Sequence, residues 1–78
     1  MRIKQPRLIV TFHTTTAAIL MEKRCAEAEV VGRLIPVPRV ISASCGMAWS
    51  APPEARAQVE ELAAAIGSAV DRFYELEL

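Results

Sequence analysis

The chain has 78 residues, nine basic and nine acidic, and 53% of it is hydrophobic. A chain this short makes one domain, residues 1–78, that buries only about 60% of its unfolded surface, so self-association is a natural source of extra stability. The zero net charge removes the electrostatic case for non-specific binding to nucleic acid or an anionic membrane.

The first apolar run follows a basic start, Met1 to Arg7, in the manner of a signal peptide. His13 and three threonines interrupt it and Glu22, Lys23 and Arg24 close it, so neither secretion nor a membrane span is expected. Instead Arg7 to His13 reads as a central strand, β-branched and apolar on both faces. The threonines then offer a helix N-cap. Ala18, Met21, Cys25 and Ala28 recur at helical spacing, which predicts a helix over about Thr15 to Glu29 with Cys25 in its buried stripe.

A second strand is expected over Val30 to Ile35, stopped by Pro36 and Pro38, which cannot donate to a ladder. After a loop through Arg39, the stretch Cys45 to Trp49 reads as a third strand. Pro52 and Pro53 then set up a second helix, with Ala55, Val59, Leu62 and Ile66 on one stripe, Arg56 and Glu60 paired across one turn, and Gly67 as C-terminal cap. The last run, from Val70, alternates as an edge strand carrying Phe73 or Tyr74, Leu76 and Leu78. The order strand, helix, strand, strand, helix, strand predicts an α+β ferredoxin-like sandwich, an antiparallel sheet with both helices on one face. Its expected core is Leu8, Val10, Phe12, Met21, Leu34, Met47, Val59, Leu62 and Ile66.

The two cysteines differ in setting. Cys45 lies in Ser-Ala-Ser-Cys-Gly, small and polar residues unlike the hydrophobes that surround a core cysteine. Right-handed crossover makes the first two strands parallel, so the loop holding Cys45 is expected at the same end as His13 and the N-terminus of the first helix, whose partial positive charge favours a thiolate. Ser44 offers a hydroxyl, Gly46 a permissive backbone, and Arg39 and His13 positive charge. A plain turn of small residues is the competing reading. Two cysteines without Cys-x-x-Cys or His-x-x-x-His spacing give neither a disulfide framework nor a metal site, which suits a reduced, cytoplasmic protein. The neutral charge and the missing aromatic, glycine-rich signature argue against an RNA-binding sheet, despite Phe12 and Trp49.

The segments Thr11 to Lys23, Arg33 to Arg39 and Ser42 to Gly46 resemble a family of short bacterial proteins described as selenium or sulfur carrier-like. The resemblance runs from about Leu8 to Met47. It rests on Phe12, Glu22, Lys23, Arg33, Leu34, Pro36, Pro38, Arg39, Ser42, Ser44, Cys45 and Gly46; Ala43, His13 and Glu29 depart from the family pattern, Glu29 standing where a glycine often ends the helix. The resemblance implies a carrier rather than an enzyme. One accessible thiolate, Cys45, would accept a sulfur or selenium atom as a persulfide or selenosulfide from a cysteine desulfurase-type donor and pass it to an acceptor protein, with no cofactor or metal of its own. The rival readings are a non-catalytic ligand-binding or regulatory ferredoxin-like module, in which Cys45 is dispensable, and a thiol redox sensor.

Overall fold

A computed structural model describes residues 4–41 and 46–78. Two helices and four strands follow in chain order: β1 (Pro6–Phe12), α1 (Thr15–Glu27), β2 (Arg33–Pro36), β3 (Met47–Ala51), α2 (Arg56–Ile66) and β4 (Val70–Glu77). The strands form one antiparallel sheet in the order β2-β3-β1-β4 with both helices on one face, the ferredoxin-like arrangement that the element order implies.

The register explains the core. Val10 lies opposite Trp49 on one side and Phe73 on the other, and Leu8 opposite Ala51, so these residues share the face covered by the helices. With Phe12, Met21, Cys25 and Val59 they make one buried cluster. Leu34, Met47, Leu62 and Ile66, expected in the core, pack at its rim and stay partly exposed. Leu34 belongs to an edge strand, and the buried line of α2 runs through Ala55, Val59 and Ala63, leaving Leu62 and Ile66 at its border.

Several boundaries differ from expectation for identifiable reasons. Helix α1 starts where Thr14 caps it, accepting the Ala17 N–H at 3.1 Å. It ends at Glu27 rather than Glu29, because Glu29 turns to φ 58, the Glu29 N–H bonds to the Ala26 carbonyl and the Val30 N–H to the Cys25 carbonyl. This is a Schellman closure with glutamate in the left-handed position that glycine usually holds. Val30 is thereby committed to the end of the helix, so β2 begins only at Arg33. In β3 the strand starts at Met47, since Gly46 has φ 75, outside the extended region. The second helix opens with a 3-10 turn over Pro53–Ala55 before Arg56, and Gly67 at φ 88 caps it by donating to the Ala63 carbonyl.

Arg56 ties α2 to the sheet: it donates to Glu60 one turn on at 2.8 Å and to Glu75 of β4, and it lies 5.9 Å from the centre of the Phe73 ring. At Gly32, a Cβ would fall 2.6 Å from Trp49 Cζ2 and 2.7 Å from the Ser50 carbonyl oxygen, so the backbone can pass the indole only without a side chain. Among the described residues no helix is long and apolar enough to cross a membrane.

Candidate functional site

Strands β1 and β2 run parallel with β3 between them, so their C-terminal ends meet at one end of the sheet. There the Val37 N–H donates to the Gly46 carbonyl at 3.0 Å, closing the base of the β2–β3 hairpin, and the Ile41 N–H bonds back to Pro38. Pairing of Thr11 with Ala48 brings Phe12, the last residue of β1, level with the first residue of β3. The capped N-terminus of α1 follows two residues after Phe12, and its first backbone N–H groups carry the helix's partial positive charge at this end.

Of the residues singled out from sequence, Cys45 and Ser44 lie outside the described residues, as do Ser42 and Ala43. Gly46 is exposed, with open space around the position a Cβ would take, and joins the hairpin base directly to Cys45 in sequence. Arg39 is exposed and faces a cavity on the side of the sheet away from the helices.

Cys25 is fully buried in the core, and burial pushes its thiol up from 9.0 to about 11. Its thiolate is therefore scarce at neutral pH, and the neutral core position expected of it is the one observed.

A feature with no sequence signal lies beside His13. Between Val10 and Phe12 the β1–β4 ladder has an irregularity, and the buried Thr11 hydroxyl fills it, accepting from the Arg72 N–H at 3.2 Å and donating to Asp71 at 3.2 Å. The other Asp71 oxygen is 3.7 Å from His13 Nε2, and the His13 side chain stays half exposed. The exchange of an ordinary ladder bond for a threonine hydroxyl thus sets a carboxylate next to the histidine. Thr11 and Asp71 are far apart in the chain and fit no motif, so only the strand pairing reveals them.

On the helix-free face Arg33 pairs with Ser50 across β2 and β3, and Arg7, two residues along β1 from the Ile9 that pairs with Ser50, reaches it diagonally, its Nε donating to Ser50 Oγ at 3.0 Å. Leu76 of β4 is paired with Arg7 on its other side. Together with Pro38, Arg39 and Val40 these residues line an open cavity of about 1220 Å³. Among the described residues no three His, Cys, Asp or Glu side chains group as metal ligands would.

A family model described as "Putative Se/S carrier protein-like" matches residues 7–75. The match extends past Met47, where the motif resemblance stops, through the second helix and into the last strand. No curated protein and no solved structure gives a match.

Proposed function

Since the chain belongs to the Se/S carrier protein-like family, we propose that it carries a sulfur or selenium atom on Cys45 between two partner proteins. The observation that carries this reading is the burial of Cys25. The chain holds two cysteines, and one is enclosed in the core with its thiol raised to about 11, which leaves Cys45 as the thiol for exchange.

The step is a thiolate exchange. The Cys45 thiolate attacks the outer sulfur of a persulfide on a desulfurase-type donor; a new S–S bond forms on Cys45, the donor's S–S bond breaks, and the donor cysteine leaves as a thiolate. The persulfide proton stays with the transferred sulfur, and no net oxidant or reductant is consumed. An acceptor thiolate repeats the exchange in the second half, and a selenosulfide follows the same course with selenium as the moving atom. Nothing in this chemistry requires a cofactor in the carrier.

The surroundings support it. Gly46, next to Cys45 in the chain, has the left-handed backbone and open space that let a partner's sulfur approach closely. The N-terminus of α1 lies at the same end of the sheet and favours a thiolate nearby. Ser44, the preceding residue in the sequence, offers a hydroxyl, and Arg39 a positive charge for the donor's approach.

The test is to incubate the reduced protein with a cysteine desulfurase and cysteine, then read the intact mass. Wild type and Cys25→Ala gain one sulfur atom, Cys45→Ser gains none, and Arg39→Ala gains it more slowly. A Cys45→Ser protein that still gains the atom, or a wild type that never does with several desulfurases, overturns the reading.

A further inference from the structure

The cavity on the helix-free face shares only Arg39 with the thiolate exchange, and it concentrates charge in a chain whose charges otherwise cancel. Lys4, Arg7, Arg33 and Arg39 line it, against Glu77 as the one acidic side chain among its described lining residues. None of the four cations is in an ion pair among the described residues; Asp71, Glu60 and Glu75 pair with His13 and Arg56 elsewhere. Unpaired like charges around one concavity give a positive potential that favours an anion. Arg7 is moreover oriented: with Nε held by Ser50 Oγ at 3.0 Å, its two Nη groups remain as a fork suited to a carboxylate.

The other lining groups decide what kind of anion. Ile35 stands two residues on from Arg33 on the same face of β2, Leu76 of β4 pairs with Arg7, and Val40 follows Arg39 in the β2–β3 connection, so apolar side chains are interspersed with the cations. The volume, about 1220 Å³, exceeds the roughly 300 to 1,000 Å³ of a small-molecule pocket and far exceeds an inorganic oxyanion. No aromatic side chain is among the described lining residues, so bases of a nucleic acid find no stacking platform.

We propose that this cavity docks an acidic, partly aliphatic, extended segment of a partner protein. The segment's carboxylates meet Arg7, Arg33 and Arg39, and its aliphatic side chains cover Ile35, Val40 and Leu76. The docking surface stands on the cavity alone. That the partner is the donor or acceptor of the carried atom rests on the carrier reading above, since Arg39 and Val40 belong to the same β2–β3 connection as Cys45.

The experiment is an NMR titration of isotope-labelled protein with a short peptide of alternating glutamate and leucine, and with its lysine–leucine counterpart. The glutamate peptide shifts the amides of residues 33–35, 39 and 76–78 and binds more weakly as salt rises. Arg33→Gln and Arg39→Gln, both exposed and therefore safe for the fold, each weaken binding roughly tenfold, the worth of one charge-assisted hydrogen bond. Cys45→Ser binds as wild type does, so failure of the carrier reading and failure of the docking surface are distinguishable. Equal binding of the lysine peptide, unchanged affinity in both arginine variants, or tighter binding of inorganic phosphate or a single-stranded RNA oligomer at the same amides would overturn the proposal.

Discussion

Alkylation of the two cysteines gives a sharp check on their assigned roles. At pH 7 a thiol raised from 9.0 to about 11 has roughly a hundredfold less thiolate than an unperturbed one, because each pKa unit is a factor of ten in the ionised fraction. Cys25 is in addition 0% exposed, so the reagent reaches it only through an opening of the core. Folded protein treated with iodoacetamide at pH 7 should therefore take one label quickly, on Cys45, and a second on Cys25 at least a hundredfold more slowly. Peptide mapping over a time course separates the two sites. In denaturing urea the two rates should converge, since the difference belongs to the fold and not to the local sequence. The same burial sets a pH dependence. The folded pKa lies above the unfolded value, so the stabilisation linked to Cys25 is fully present below about pH 9 and is lost as pH rises through about 11. Chemical denaturation of wild type should show stability falling across that window, with Cys25→Ala falling less. A Cys25 that alkylates in the folded protein as fast as in urea would refute its place in the core and remove the main support for Cys45 as the carrier thiol.

Four further substitutions probe the fold. Glu29→Gly should stabilise the protein by about 0.5 to 1 kcal/mol in urea denaturation, because glycine holds φ 58 without steric cost; destabilisation would mean that the left-handed closure of α1 is misassigned. Gly32→Ala should cost about 1 to 3 kcal/mol, since the new methyl group must push against Trp49 and the Ser50 carbonyl, and a thermal midpoint equal to wild type would contradict that contact. Leu8→Ala, emptying a site with 0% exposure, should cost about 2 to 5 kcal/mol and the half-buried Leu62→Ala clearly less; the reverse order would place Leu62 in the centre of the core.

Much of the architecture is legible along the chain because it depends on near neighbours. The β-branched run of β1, the threonine cap, the one-turn spacing of Arg56 and Glu60, the stop after Ile66 at Gly67 and the apolar stripe that holds Cys25 are each decided within a few residues of the position concerned. Six elements in their order then leave few topologies, since parallel crossovers are right-handed, and the observed sheet order is the one that follows. The proline-arginine and Ser-Cys-Gly segments pointed to the family for the same reason, being contiguous.

What only the tertiary structure decided depends on residues distant in sequence. Period-two alternation says which side chains share a face of a strand; which neighbours they then meet comes from packing. Arg7 and Arg33 read locally as ordinary solvated charges, and only the β1–β3–β2 pairing brings both to Ser50 beside a cavity, Arg33 opposite it and Arg7 diagonally through a side-chain bond. Leu62 has the periodicity of a core residue, yet the packing of α2 gives the buried line to Val59 and Ala63 and leaves Leu62 at the rim. The Thr11–Asp71–His13 arrangement arises where a ladder irregularity replaces a backbone bond with a hydroxyl, and the need for Gly32 is visible only when the Trp49 ring lies against it. Local propensity chooses the elements of this protein. The surfaces on which it can meet a partner are chosen by the long-range pairing that costs chain entropy and is repaid only when the whole sheet closes.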